Sequence, residues 1–200
     1  VYASPSFINT YEDLSIYFKP EKKKFFQTDF YKQQRKKLDI LMDKDGKPTG
    51  GKWTYDDENR KKFPRKQIPP SIVFPDHSSH YQEAIDYVKA YFPTNPGRLT
   101  ANPLYPFNHT QAEVWLEQFL VDRFSKFGDY EDAIVTNESI LHHSLLSPLL
   151  NAGLLTPDTI IDKILTYAKE HHIAINNTEG IIRQIIGWRE FMRGSYEVMG

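Results

Sequence analysis

Apolar residues along this chain return at three- and four-residue intervals, in bursts separated by turn-forming stretches, and no convincing strand alternation appears. A cap hydroxyl at Thr10 with Asp13 three residues later predicts a short first helix. Phe26, Phe30, Tyr31, Gln34, Leu38 and Leu41 predict a second over 25–41, with Lys32, Arg35, Lys36 and Lys37 on its surface. Asp43-Lys44-Asp45-Gly46 reads as a turn in which Gly46 takes a positive φ. Pro48, Pro64, Pro69, Pro70 and Pro75 make 45–77 a long extended connector. Ser79 with Gln82 predicts a helix ending near Phe92-Pro93, and a second Pro/Gly break follows at 93–106. Thr110 with Glu113 opens a helix whose apolar side is Val114, Trp115, Leu116, Phe119, Leu120, Phe124 and Phe127, stopped by Gly128. A short helix is expected over 144–151. Thr156-Pro157 starts the next, with Ile160, Ile161, Ile164, Leu165 and Ala168 facing a core. Asn177 or Thr178 starts the last, through Ile181, Ile182, Ile185, Ile186, Trp188, Phe191 and Met192. The fold class is therefore mainly α, without an internal repeat.

Composition narrows the picture. Of 200 residues, 40% are hydrophobic and 14% aromatic, enough for a real core and too much for wholesale disorder. Cysteine is absent, which excludes disulfides, thiolate metal sites and a Cys nucleophile within these residues. No apolar run approaches the ~18 residues of a membrane span, and the opening residues do not read as a signal peptide. The net charge of −1 hides an asymmetry: residues 1–70 carry 16 Lys+Arg against 10 Asp+Glu, and residues 71–200 carry 9 against 16. A basic segment joined to an acidic one suggests contact with a polyanion such as nucleic acid. Solvated faces explain runs such as Lys22-Lys23-Lys24 equally well.

Candidate chemistry is sparse. His142-His143 and His171-His172 are adjacent pairs that point apart on a helix, and no zinc-hydrolase spacing accompanies them. Asp129, Glu131 and Asp132 lack the pattern of a calcium loop and read as a solvated turn. No metal site is expected, phosphate loops of the Walker or dinucleotide type are absent, and nothing marks a serine hydrolase. Ser144 and Ser147 stand at an apparent helix start that Pro148 continues. Free amides there, with the two hydroxyls, suit phosphate oxygens or simply cap the helix. The last helix carries Arg183, Gln184, Trp188, Arg189 and Arg193 among apolar residues, with Glu179 and Glu190 available for pairing. It is either a half-buried helix with salt bridges or the lining of a polar ligand or nucleic-acid cavity, with Trp188 able to stack. Gly187 beside Trp188 implies close approach by something.

These stretches carry a resemblance. Phe30-Tyr31 to Arg35 with Leu41-Met42 forms one block, and Gly50-Gly51-Lys52-Trp53-Thr54-Tyr55-Asp56 with Glu58-Asn59-Arg60 a second. Phe127 to Ala133 runs into His143-Ser144-Leu145-Leu146-Ser147-Pro148 and Asn151 to Leu155. Glu179-Gly180 precedes Ile182-Arg183-Gln184-Ile185-Ile186-Gly187-Trp188-Arg189-Glu190-Phe191 and Arg193-Gly194. In this order and over almost the whole chain, the sequence resembles the cryptochrome/photolyase flavoproteins. Within them it is most similar to the bacterial iron–sulfur branch, the deoxyribodipyrimidine photolyase-related proteins that include prokaryotic (6-4) photolyases.

The resemblance implies a segment of a light-dependent DNA-repair enzyme that reverses (6-4) pyrimidine photoproducts by electron transfer from FAD. The alternatives are a blue-light photoreceptor that binds FAD without repair, and a helical nucleic-acid or protein-binding module without cofactor. By the same resemblance, residues 1–44 end the antenna-domain region. Residues 45–108 form an interdomain connector with one helix, and 109–200 the first half of a helical FAD-binding domain. The implied FAD contacts are Tyr130, His143, Ser144, Leu145, Leu146, Ser147, Gln184 and Arg189. His143 stands where many relatives have Thr, and Ile185 where they often have Glu or Gln, so Gln184 is assigned that contact. Lys61, Lys62, Arg65, Lys66, Arg183 and Trp188 are expected at damaged DNA or the lesion; no catalytic residue is assigned. A [4Fe-4S] cluster and a lumazine-type antenna are expected in the full-length protein, outside this segment, which alone is expected to bind FAD weakly or not at all. A cytoplasmic, nucleoid-associated monomer is the expected setting.

Overall fold

A computed structural model describes residues 4–199, and among these no extended strand forms. The elements are α1 (Tyr11–Tyr17), α2 (Gln27–Leu38), α3 (Ser79–Tyr91), α4 (His109–Asp122), α5 (Ser147–Asn151), α6 (Pro157–Glu170), α7 (Ile175–Ile182) and α8 (Glu190–Met199). Between α7 and α8 the helix runs on without a break through a π-helical segment, Arg183–Arg189. The mainly α expectation is met.

Caps account for most helix starts, in places one or two residues from the expected position. Thr10 and Asp13 make the reciprocal capping box of α1, and Thr156 caps α6 with Pro157 in the first turn. For α3 the cap is Ser78, not Ser79, and for α4 it is Asn108, not Thr110. In both cases a better-placed side chain upstream accepts the free amide. The last helix begins at Ile175, ahead of Asn177 and Thr178: Asn177 is buried and bonds to the backbone of Asp129 and Ser125, and Thr178 donates back to the Ala174 carbonyl. Residues 144–146 are not helical; α5 starts only at Ser147.

The main core gathers Trp115, Leu116, Phe119 and Leu120 of α4, Ile160, Ile161 and Ile164 of α6, and Ile181, Ile182, Ile185 and Ile186 of the last helix. A second cluster of Leu14, Tyr17, Phe18 and Phe30 packs on Phe191. Each such fully buried side chain contributes on the order of 1.5–3 kcal/mol. Tyr31 and Ile40 belong to the main core. Val114 and Phe26, expected on apolar faces, are instead exposed.

Arg35 is buried, contrary to its expected surface position. Its fork donates to the carbonyls of Ile40, Leu41, Lys52 and Trp53 and so ties the end of α2 to the connector. The close approach implied by Gly187 comes from α2: a Cβ there would lie 2.6 Å from Gln27 Nε2 and 3.1 Å from Tyr31 Cδ2.

The connector is mostly irregular, as expected, but its first part is anchored. Tyr55 donates its N–H to Glu179 Oε2 at 3.0 Å. Asn59 donates its side-chain amide to the Asn176 carbonyl at 3.3 Å and accepts the Asn176 side-chain amide on Oδ1 at 3.2 Å.

Candidate functional site

Two parts of the chain meet at a cleft of about 670 Å³. One is the loop entering α5; the other is the π segment with the start of α8. Ser144, Leu146 and Ser147 line it from the first side, and Gln184, Trp188 and Arg189 from the second. Sequence reasoning assigned these six to one ligand or its DNA, and the fold brings them together.

The loop has an unusual backbone. Leu145 stands at φ 58°, in the left-handed region, and Leu146 follows at φ −88°, ψ −16°. Such alternation turns successive N–H groups toward one side, a concavity that favours anions. Among the described residues, no protein acceptor takes the N–H of Ser144, Leu145, Leu146 or Ser147, nor the hydroxyls of the two serines. Leu145, expected among the ligand contacts, packs on the core and does not line the cleft.

On the opposite wall, π winding widens the helix around Gln184, Trp188 and Arg189; π turns of this kind recur at functional sites. Trp188 is 42% exposed. Arg189 donates to Asn151 Oδ1 at 2.7 Å, and its Nε is buried without a partner. Burial pulls this guanidinium below its ordinary pKa, against the pull of Glu190. Arg193 also lines the cleft and pairs with Glu197 at 2.8 Å. The lining thus combines unpartnered donors, two cations, the Glu197 carboxylate that pairs with Arg193, and apolar walls of Leu150, Ile181, Ile185 and Met192. This set fits a ligand with phosphates and a flat apolar ring, and its volume suits a cofactor.

The other predicted residues lie elsewhere. Tyr130 does not line the cleft; its ring packs on Phe63 and His142 at centroid distances of 5.1 and 5.4 Å. His143 is held by the 131–141 loop, with Nε2 3.3 Å from the Glu131 carbonyl. Arg183, expected at DNA, is buried and ion-paired with Glu131 at 2.9 Å, Asp56 at 3.1 Å and Glu179 at 3.3 Å. It lies one helix face away because Gln184 and Trp188, not Arg183, point into the cleft. Desolvation works against the Arg183 charge, but Glu179 and Glu131 outweigh it and raise its pKa. Desolvation likewise pushes the Glu131 and Glu179 carboxyls up, with Arg183 opposing. Asp129 and Glu131 are therefore not a solvated turn. Asp129 is 6% exposed and accepts from Lys61 and Asn176, both at 2.8 Å. Lys61 is engaged there, whereas Lys62, Arg65 and Lys66 are exposed.

Phe7, Asn151 and Tyr196 line the cleft without having been singled out. Tyr196 follows Trp188 and Met192 at four-residue steps, a spacing readable in advance. Phe7 sits in an irregular stretch and gives no such signal.

The fold is helical and carries a cleft of cofactor size, and comparison with known proteins gives the family. The family model for deoxyribodipyrimidine photo-lyase-related protein matches residues 1–103. A (6-4) photolyase of Agrobacterium fabrum (strain C58 / ATCC 33970) is 38% identical over 173 residues, covering 86% of this chain and 33% of that protein. The chain belongs to the deoxyribodipyrimidine photo-lyase-related family. Two uncharacterized proteins of Acanthamoeba polyphaga mimivirus match over 68 residues each. R853 is 44% identical (34% of this chain, 52% of that protein) and R852 is 52% identical (32% and 34%). The chain thus spans about a third to a half of the length of these relatives. Among the described residues no helix is long and apolar enough to cross a membrane.

Proposed function

We propose that this chain supplies part of the flavin-binding body of a light-dependent DNA-repair enzyme acting on (6-4) pyrimidine photoproducts. The observation that carries the reading is the convergence of the Ser144–Ser147 donor loop and the Gln184–Trp188–Arg189 face on one cleft. When bound, FAD would supply the light-driven electron that reverses the lesion. The protein's own part is positional. The serine hydroxyls and neighbouring N–H groups hold phosphate oxygens, Arg189 balances negative charge, and Gln184 offers an amide to a ring edge. Trp188 presents a face to a base flipped from the duplex, where damage lowers the cost of unstacking. Lys62, Arg65 and Lys66 contact DNA phosphates and set register without reading sequence. The [4Fe-4S] cluster and lumazine-type antenna belong to the full-length protein; no cysteine of this chain is available to ligate a cluster. A cytoplasmic monomer acting at the nucleoid is part of the same reading.

The test uses the full-length protein, a (6-4)-damaged oligonucleotide and blue light, with repaired bases read by chromatography. Repair is expected, and Ser144→Ala with Ser147→Ala is expected to lower flavin occupancy about tenfold, the loss of one or two hydrogen bonds to a charged group. Flavin without repair would favour the photoreceptor. No flavin at all would sink the reading and favour a cofactor-free binding module.

A further inference from the structure

Residues 6–9 form no helix or strand; Phe7 lines the cleft, and the Thr10 cap of α1 follows directly. One buried group holds their backbone. The Glu190 carboxylate accepts the N–H of Ile8 at 2.9 Å, the N–H of Asn9 at 3.2 Å and the side-chain amide of Asn9 at 2.9 Å. Arg193 donates to the Asn9 carbonyl at 2.6 Å, and Lys37 donates to Asn9 Oδ1 at 3.0 Å. Lys37 is itself fixed by Asp13 at 2.7 Å. Asn9 thus uses its N–H, its carbonyl and both ends of its side chain, which makes it a clasp rather than a passing loop residue.

The effect of the clasp falls on Phe7. Its ring centroid lies 4.6 Å from the guanidinium carbon of Arg189 and 4.6 Å from that of Arg193. Arg189 also donates to the Ser6 carbonyl at 3.5 Å and to Asn151 at 2.7 Å, joining the strap to α5 across the cleft. An arginine free in solution samples many rotamers, and freezing them on binding costs affinity. A ring against the guanidinium plane removes that freedom beforehand.

We propose that Phe7 is a positioning residue for the cleft's ligand: the Ser6–Asn9 strap, clasped by Glu190, presses its ring on Arg189 and Arg193 and fixes both guanidiniums where a phosphate-bearing flavin seats. The proposal rests on the flavin reading above. It differs from it in assigning a role to the Ser6–Asn9 strap, whose Phe7 lines the cleft beside the two walls described above.

The experiment takes the full-length protein, its Phe7→Ala variant and its Phe7→Tyr variant. Two quantities are read: the rate of FAD release after dilution, and hydrogen exchange over residues 6–10, 184–193 and α6. Phe7→Ala is expected to release FAD about tenfold faster and to exchange faster over 6–10 and 184–193, with α6 unchanged. Phe7→Tyr, which keeps the ring, is expected to match the parent on both. Unchanged FAD release in Phe7→Ala overturns the proposal, as does faster exchange spreading into α6, which would make Phe7 a general packing residue. If the parent holds no flavin, the flavin reading fails by itself. Exchange over 184–193 in the flavin-free protein then decides the strap: faster in Phe7→Ala supports it, unchanged overturns it.

Discussion

Arg183 shows how one side chain can mislead at the sequence level. An arginine amid isoleucines, near a tryptophan, reads equally as a ligand contact or as a buried ion pair. Three carboxylates, from Asp56, Glu131 and Glu179, decide the matter, and two of them are distant in sequence. Arg183→Met should destabilise the protein by about 3–5 kcal/mol, because the carboxylates are left buried and uncompensated. Adding Glu131→Gln should restore part of that loss in denaturant titrations. Asp129 gives a pH signature. Desolvation alone would raise its carboxyl, but Lys61 and Asn176 hold it below its ordinary value of 3.8. A depressed carboxylate contributes stability above the unfolded pKa and loses it as pH falls through the folded one. Asp129→Asn should therefore cost about 1–2 kcal/mol near neutrality. The gap to the parent should close in melts taken at pH values below the ordinary carboxylate range.

At the level of elements, helix existence was legible because apolar spacing and capping residues are local. Thr10, Thr156 and the α6 isoleucines stand as expected. The shifted starts of α3 and α4 arise because neighbouring residues, Ser78 beside Ser79 and Asn108 near Thr110, are nearly equivalent caps until the chain direction is fixed. The π winding between α7 and α8 was not legible, since its residues keep ordinary helical spacing. Nor was the role of Phe7, which depends on contacts more than 180 residues away. Gly187 is intermediate: a close approach was foreseeable, its partner α2 was not. Gly187→Ala should cost about 1–3 kcal/mol by forcing Tyr31 and Gln27 aside. Gln27→Ala should recover part of it in thermal melts, since the nearest obstacle is the flexible end of that side chain.

Across the whole molecule, the basic first third is not a detached arm. Its helices α1 and α2 pack on α8 and the π segment, and its connector is pinned to α7. The charge asymmetry therefore survives as surface, with Lys62, Arg65 and Lys66 exposed while Lys61 neutralises Asp129. Reversing the three exposed charges in the full-length protein should weaken DNA binding and flatten its dependence on log salt by roughly 0.9 per lost phosphate contact. Reversing Lys61 as well should add a loss of stability that the other three do not cause. Filter binding at several salt concentrations, beside melting curves, separates the two effects.

The continuous helix from α7 to α8 also limits how this sequence can change in length. Its first half is locked by Arg183 to the connector, and its second half by Glu190 to the strap. Removing one residue from the ordinary α winding of α7 would turn everything beyond it by about 100°. Trp188 and Arg189 would leave the cleft, and Glu190 its clasp, in a single step. Length is therefore fixed in the α-wound parts of this helix, and only the π segment can give up a residue by relaxing to α winding.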